Sequence, residues 1–267
     1  MSGATRRVLV TNDDGIGSPG LVALARIAVD LGFQTVVAAP SAEASGTGTS
    51  LMAAAAHRRV VVEERELPGL AGVPAYALAA HPALIVLLAC RGALGEKPDV
   101  VLSGVNRGPN VGRSVLHSGT VGAAVTAGVN GARAMAVSVD ADVDDPVDPH
   151  WEAATALAAE LLPGLADLAP GTILTVNAPN RPAGELPPAR WARLATYGRV
   201  TDRITRAEDG AIEVASVVVD GPLEPGTDAA LLDEGYPTVT PLVGIGEHPS
   251  LLNGRVGETV KADHLGA

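Results

Sequence analysis

Short apolar runs alternate with amphipathic segments along the chain up to about residue 178. Val8–Thr11 and Thr35–Ala39 are such runs, and Gly20–Asp30 between them repeats its apolar positions with helical spacing. Pro19 opens this helix and Gly32 follows its end, which is the usual placement of proline and glycine around a helix. The order strand, helix, strand predicts a βαβ unit.

The same alternation continues toward the middle of the chain. It predicts further strands at 99–102, 134–139 and 172–177, helices at 75–91, 120–130 and 150–162, and a long glycine-rich loop at 103–119. The predicted strands are apolar without alternation, which is typical of parallel strands covered by helices on both faces. The pattern therefore predicts an α/β fold with a doubly wound, mostly parallel sheet.

The alternation of strand and helix patterns ends after residue 178. Residues 178–188 are rich in proline, 191–219 contain strand-like pieces without a crossover helix, and 235–242 return to strand character. We therefore predict three regions. They are an α/β catalytic core at 1–178, a β-rich antiparallel extension at 179–225, and a return strand with a C-terminal segment at 226–267.

Composition excludes several classes of protein. The net charge of −11 argues against binding of a nucleic-acid polymer or an anionic membrane surface. Cys90 is the single cysteine, so no intramolecular disulfide forms and a reducing compartment fits. No signal-peptide core follows the N-terminus, and the longest apolar run, Ala83–Cys90, is too short to span a bilayer. These features predict a cytoplasmic protein without a membrane segment.

Ligands of open α/β sheets bind at the carboxyl ends of the strands, which directs attention to four loops. The first is Asn12–Gly15, directly after the first strand. Adjacent carboxylates at Asp13 and Asp14 repel each other unless a cation lies beside them, and oxygen ligation suits Mg²⁺ or Mn²⁺. An ordinary turn with a left-handed Gly15 is the alternative interpretation.

The second and third loops supply hydroxyl, glycine and amide groups. Ser45 and Gly46 lie in a loop at 40–50, where a hydroxyl can complete a metal shell and a glycine amide can approach an anion, although a flexible linker has the same composition. In the loop at 103–112, Asn106 and Asn110 can offer carbonyl oxygen to a cation or N–H to a phosphate, and Arg107 adds a phosphate contact.

The fourth loop, Ser118–Thr120, opens the predicted helix at 120–130. Free amides at a helix N-terminus bind phosphate, whereas Ser and Thr there also serve as simple helix caps. His117 precedes this loop, and we assign it a contact with the substrate. Together the four loops can hold one divalent ion and one phosphate, as metal-assisted phosphoryl hydrolysis requires.

The chain resembles the SurE family of metal-dependent 5′/3′-nucleotidases. The resemblance rests on six stretches in the family's order: VLVTNDDGIGSPG at 8–20, VVAAP…SGTGTSL at 36–51, DVVLSGVNRGPNVG at 99–112, HSGTVGAA at 117–124, LTVNAP at 174–179, and GTDAALLDEGYPTVTPL at 226–242. It implies a Rossmann-like core, a β-rich extension used for oligomerisation into a homodimer or homotetramer, and a C-terminal segment exchanged between subunits.

The resemblance also implies roles for individual residues. One divalent metal ion per subunit would be held by Asp13, Asp14, Ser45 and Asn106, with Asp13 and Asp14 also catalytic. The phosphate side comprises Asn110, Ser118, Gly119 and Thr120, and our own interpretation of the loops adds Asn12, Gly46, Arg107 and His117 as phosphate- or substrate-binding residues.

Some positions depart from the family pattern. Ser41 replaces an acidic residue, the segment Ala80–Ile85 replaces a GTPxDC-like motif, Arg113-Ser114 replaces an acidic pair, and His117 replaces a frequent tyrosine. We expect the exchanged positions His81, Leu84, Arg113 and His117 to line the approach of the leaving group, and therefore to alter substrate choice more than the reaction.

Two functions follow. The first is a phosphomonoesterase that uses a divalent metal to hydrolyse a nucleoside monophosphate or a related small phosphate ester. The alternative is a non-catalytic nucleotide- or phosphate-binding module, motivated by the replaced segment at 80–85 and by Ser41. The intact Asp13-Asp14 pair argues against the alternative, because adjacent carboxylates disfavour an anion unless a metal is retained.

Overall fold

The computed structural model describes residues 6–44, 46–52, 59–142, 145–198, 200–206, 212–218 and 221–245. Its strands are β1 (Arg7–Thr11), β2 (Gln34–Pro40), β3 (Val62–Glu64), β4 (Ala75–Leu78), β5 (Val100–Arg107), β6 (Arg133–Asp140), β7 (Ile173–Pro179), β8 (Arg190–Trp191), β9 (Val200–Arg206), β10 (Ile212–Val218) and β11 (Thr238–Leu242). Its helices are α1 (Pro19–Asp30), α2 (Pro82–Cys90), α3 (Gly119–Val129), α4 (Trp151–Asp167) and α5 (Asp228–Asp233), with 3₁₀ turns at Gly112–His117 and Ala183–Glu185.

Nine of these strands form one sheet in the order β3-β4-β2-β1-β5-β6-β7-β11-β8. The central strands are parallel, β3 and β11 pair antiparallel with β4 and β7, and β9 and β10 form a separate antiparallel pair. The predicted doubly wound, mostly parallel α/β fold is therefore confirmed. The strand predicted at 235–242 is β11, and it lies beside β7 in the main sheet.

Helices cover both faces of the sheet, as the unbroken apolar strands predict. On one face, α1 and α4 pack over a buried cluster that includes Leu21, Leu24 and Leu162. On the other face, α2 and α3 cover a second cluster that includes Ile85 and Val121. With so few aromatic residues, the core is formed mainly by Ala, Val, Leu and Ile side chains.

Two predicted elements are wrong. The segment 75–91 is not one helix: Ala75–Leu78 is β4, paired with β2, and the helix begins only at Pro82. The start of the helix has a local reason, because the residue before a proline is driven to extended backbone and His81 adopts it, with ψ 154°. Likewise, residues 103–119 are not all loop, since β5 continues to Arg107 beyond a register shift against β6.

Close packing around glycine positions α1 on the sheet. A Cβ added at Gly20 would lie 2.5 Å from the Val105 carbonyl oxygen and 2.9 Å from the Trp151 ring. The absence of a side chain at this position therefore allows α1 to approach both β5 and α4. Across the described residues, none of the helices is long and apolar enough to cross a bilayer.

We predict that Gly20→Ala destabilises the protein by about 1–3 kcal/mol, because a methyl group must displace backbone or the indole ring. The matched control is Gly164→Ala in α4, where nothing lies within 4 Å of the added Cβ. There the higher helix propensity of alanine should stabilise by about 0.5–1 kcal/mol. Urea unfolding of both variants measures the difference, and equal stability of the two would contradict the packing argument.

Candidate functional site

A cleft of about 590 Å³ lies where the predicted loops meet at the carboxyl edge of the sheet. Parallel strands end at the same edge, so loops far apart in sequence converge there. The cleft is lined by Asp13, Asp14, Glu43, Gly46, Asn106, Arg107, Asn110, Ser114, His117 and Ser118. Eight of the predicted site residues are therefore brought together, and Asn12, Gly119 and Thr120 lie buried next to them in the chain. Ser45 lies outside the described residues.

A second cleft of the same volume lies between α4 and the proline-rich segment that precedes β8. Alanine, leucine and proline make up most of its lining, and Glu160 and Arg190 are the charged residues among those described. It lacks the paired carboxylates and amide side chains of the sheet-edge cleft, so we place the chemistry at the sheet edge.

Asp13 is held by the N-terminus of α3. The Thr120 hydroxyl donates a hydrogen bond to Asp13 Oδ1, and the Thr120 backbone also bonds this carboxylate. A Cβ at Gly119 would lie 2.7 Å from Asp13 Oδ2, so only glycine lets the helix come this close. Burial raises the pKa of Asp13, whereas the Thr120 hydrogen bonds and the positive end of the helix favour its ionised form.

Asp14 has less compensation than Asp13. Burial, followed by the charges of Asp13 and Glu43, raises the pKa of Asp14 to about 7. Its Oδ2 atom is buried without a hydrogen-bond partner. A buried carboxylate without a partner is costly, and a divalent cation removes that cost. The residues present therefore fit a hard divalent ion bound through oxygen.

Asn106 presents its carbonyl oxygen to the same place. Its Nδ2 donates to the carbonyl oxygens of Gly108 at 2.7 Å and Arg107 at 3.3 Å, which orients the amide group. Its Oδ1 lies 3.2 Å from the Thr120 hydroxyl oxygen, whose single proton points between Asn106 Oδ1 and the closer Asp13 Oδ1. Asn106 thus offers a neutral oxygen next to the carboxylates, as a third metal ligand requires.

Asn110 is fixed by two residues that the sequence analysis did not single out. Its Nδ2 donates to Ser138 Oγ at 2.9 Å, and its backbone N–H donates to Asn177 Oδ1 at 2.8 Å. Asn177 Nδ2 returns a bond to the Asn110 carbonyl oxygen at 3.0 Å. Ser138 and Asn177 are polar and buried near the ends of apolar strands, and that interruption of the pattern was the available signal.

The turn at Asn12–Gly15 and the Ser118 helix cap, which were the alternatives to ligand binding at these loops, are both present. Asn12 Nδ2 donates to the Gly15 carbonyl oxygen at 3.1 Å, and Gly15 has φ +98°. The Ser118 hydroxyl accepts from the Val121 backbone N–H at 3.1 Å as the N-cap of α3. These local roles shape the site, and they coexist with the buried carboxylate pair in the same loops.

The guanidinium group of Arg107 donates its hydrogen bonds to backbone carbonyl oxygens and not to Asp13 or Asp14. It donates to the carbonyl oxygens of Asp142 at 2.9 Å and Val147 at 2.9 Å, and to that of Asp145. Arg107 lines the cleft and at the same time fastens the acidic connection between β6 and α4 beside it. This geometry gives Arg107 a structural partner that the sequence did not indicate.

The exchanged positions differ from expectation. His117 lines the cleft, whereas His81, Leu84 and Arg113 are not among the described residues that line it. Glu43, which we did not select, lines it and raises the pKa of both aspartates. Its position two residues after Ser41, in a loop already chosen for its chemistry, was the missed signal.

Comparison with known proteins gives a consistent assignment. A family model described as survival protein SurE matches residues 8–200. The 5′-nucleotidase SurE of Rubrobacter xylanophilus is 37% identical over 250 residues, which cover 88% of this chain and 91% of that protein. The 5′/3′-nucleotidase SurE of Shigella dysenteriae is 32% identical over 241 residues, with coverage of 88% and 89%. The crystal structure of SurE from Aquifex aeolicus aligns with a TM-score of 0.73 and 28% identity, covering 92% and 96% of the two chains.

We predict that Asp14→Asn raises the melting temperature of the metal-free protein at pH 8. Because the folded-state pKa is raised, the destabilisation by Asp14 grows as the pH rises from about 4 toward 7. The neutral amide of asparagine removes this destabilisation. The melting temperature should rise by roughly 2–4 °C for each kcal/mol of stability gained.

Thermal unfolding is measured in excess EDTA for the metal-free protein, and without EDTA in excess Mn²⁺ for the metal-loaded protein. The stabilisation by Mn²⁺ should shrink in the variant, and the gain in EDTA should be smaller at pH 5. Glu66→Gln, which removes an exposed charge, is the control. A lower melting temperature in EDTA together with an unchanged Mn²⁺ effect would contradict the assignment of Asp14.

Proposed function

The chain belongs to the SurE family, and from this premise we propose that it is a divalent-metal-dependent phosphomonoesterase. It hydrolyses a nucleoside monophosphate or a related small phosphate ester to an alcohol and inorganic phosphate. The observation that carries the proposal is the adjacent pair of Asp13, which is buried against the N-terminus of α3, and Asp14, which is half-buried with its Oδ2 atom buried and without a hydrogen-bond partner. Two adjacent carboxylates shielded from water in this way are consistent with a bound cation.

Asp13, Asp14 and Asn106 would hold the ion, and the family resemblance adds Ser45. When bound, Mg²⁺ or Mn²⁺ supplies Lewis-acid polarisation of a phosphoryl oxygen. The protein's contribution is to keep the oxygen ligands in place, and the Thr120 hydroxyl helps to hold two of them because it lies within hydrogen-bond distance of both Asp13 and Asn106. Its hydroxyl therefore couples the position of one ligand to that of the other.

The remaining groups act on the phosphate. Asn110 is held rigidly by Ser138 and Asn177, so its side chain and loop need little reorganisation when substrate binds. The Gly119 amide lies at the positive end of α3, where phosphate oxygens are favoured. Fixed donors of this kind stabilise charge that develops in the transition state, and one such donor is typically worth about 10²–10³ in kcat.

The printed names of the relatives support a nucleotide as substrate, since they are a 5′-nucleotidase and a 5′/3′-nucleotidase. The alternative of a non-catalytic binding module is not favoured. Two adjacent carboxylates that line the cleft would repel a phosphate in a module that only bound phosphate, whereas a metal-dependent hydrolase uses such carboxylates to hold its ion.

We also infer that the chain forms a homodimer or homotetramer through its region after residue 179. Exposed apolar side chains there support this, since Trp191 and Tyr197 are 67% and 65% exposed and Ile245 is 89% exposed. Light scattering measures the assembly state, and a monomer at micromolar concentration would contradict it.

The single cysteine supports a reducing, cytoplasmic location.

We predict that hydrolysis of a phosphomonoester requires added Mg²⁺ or Mn²⁺ and is abolished by chelation. The reason is that the site binds metal only through oxygen, which holds these ions reversibly. Release of inorganic phosphate, assayed with metal, with excess EDTA and after metal is restored, tests the dependence. Full turnover in EDTA, with metal content measured as zero, would refute the proposal.

We also predict that Asp13→Asn lowers kcat by at least about 100-fold while the fold is retained. An amide keeps the shape of the side chain but removes the charge that would bind the ion. Steady-state kinetics with circular dichroism on the same sample separates activity from folding. Asp30→Asn, an exposed position at the end of α1, is the control and should keep full activity. Unchanged kcat in Asp13→Asn would exclude Asp13 from the mechanism.

A further inference from the structure

A smaller cavity of about 180 Å³ lies on the other side of the loop that carries Asn110. Asn110 lines the large cleft, whereas its neighbours Pro109 and Val111 line the small cavity. Ser114 lines both, so the two spaces meet at its side chain. The rest of the small cavity is formed by Asp140, Gly198, Ala229, Leu232 and Asp233.

The walls of this cavity are fixed before any ligand binds. Val111, Ala229 and Leu232 belong to one buried apolar cluster. The carboxylate of Asp228, itself fully buried, accepts the backbone N–H groups of Gly112 at 2.9 Å, and of Ala195 and Ala229 at 2.9 and 2.8 Å. These bonds fasten α5 and the segment near residue 195 to the Asn110 loop. Preformed cavities with apolar walls and a few polar groups are typical of ligand sites.

The volume limits what the cavity can take. A cavity of ~150 Å³ in another protein accommodates benzene, while whole-ligand sites measure ~300–1,000 Å³. About 180 Å³ therefore suits one substituted six-membered ring and is small for a fused bicyclic ring. The carboxylates of Asp140 and Asp233 in the lining disfavour an anionic group there.

We propose that this cavity is the leaving-group subsite and that it selects a single-ring, uncharged base, so that pyrimidine nucleoside monophosphates are preferred over purine ones. The inference rests on the proposed function, because it places the phosphate beside Asn110 in the large cleft. The organic part then passes over Ser114, and its ring packs between Val111, Ala229 and Leu232. Pro109 lines the cavity next to Asn110 in the chain.

The first experiment measures kcat/KM of the unmodified protein, with metal, for four 5′-mononucleotides and for glycerol 3-phosphate. The pyrimidine esters should exceed the purine esters by at least about 10-fold, the lower end of what differences in fit to an apolar pocket give. They should also exceed glycerol 3-phosphate, which has no ring. Purine esters that equal or exceed the pyrimidine esters would overturn the inference.

The second experiment alters the cavity. Ala229→Val narrows it and should raise KM for cytidine and uridine monophosphates, lowering kcat/KM about 10-fold, while glycerol 3-phosphate changes less than about twofold. Ala230→Val, one position along the same helix and outside the cavity lining, is the matched control for added bulk. An equal loss for esters with and without a ring would overturn the subsite.

Leu232→Ala enlarges the cavity and should raise the purine-to-pyrimidine ratio of kcat/KM, whereas an unchanged ratio would count against the subsite. Should Ala229→Val fail to fold, this variant and the substrate panel still decide. Hydrolysis of none of the esters, with metal present, would overturn the proposed function together with this inference. Hydrolysis of all of them without ring preference would overturn this inference alone.

Discussion

Two adjacent carboxylates directly after β1, Asp13 buried and Asp14 half-buried, are the constraint around which the site is organised. Asp13 accepts hydrogen bonds from the hydroxyl and the backbone of Thr120 and lies at the positive end of α3, which partly offsets the desolvation that raises its pKa. Asp14 receives no comparable partner, and its neighbour Asp13 repels it. Under the proposed function, a cation would complete the electrostatic balance of this site, which is the property that metal-assisted phosphoryl chemistry needs.

This arrangement depends on how closely α3 approaches the neighbouring loops. Gly119 allows the helix end to reach Asp13, and a Cβ at Gly122 would overlap the backbone of Gly48 in the second loop. At the far end, Gly128 packs directly on Ile173 of β7. The small residues of α3 therefore do more than allow close packing on the sheet. Gly119 and Gly122 also let the helix contact two loops of the site, at Asp13 and at Gly48.

The later part of the chain reaches the site indirectly. Asp228 ties α5 to Gly112, and Asn177 at the end of β7 holds Asn110. The loop between β5 and α3 is thereby clamped from two directions, and it separates the large cleft from the small cavity. In the proposed binding mode, this loop would fix the distance between the phosphate and the organic part of a substrate, which is a geometric basis for specificity.

The sequence by itself determined the α/β class and the loops that carry the chemistry, because apolar periodicity and the convergence of parallel strand ends are local and general rules. It did not determine that Ala75–Leu78 pairs as a strand, since that pairing depends on β2, which lies far away in the chain. The partners of Arg107, the anchoring of Asn110 and the approach of Glu43 to the aspartates were likewise decided only by the tertiary structure. Each joins segments tens of residues apart, and no local pattern records which distant backbone or charge a side chain will meet.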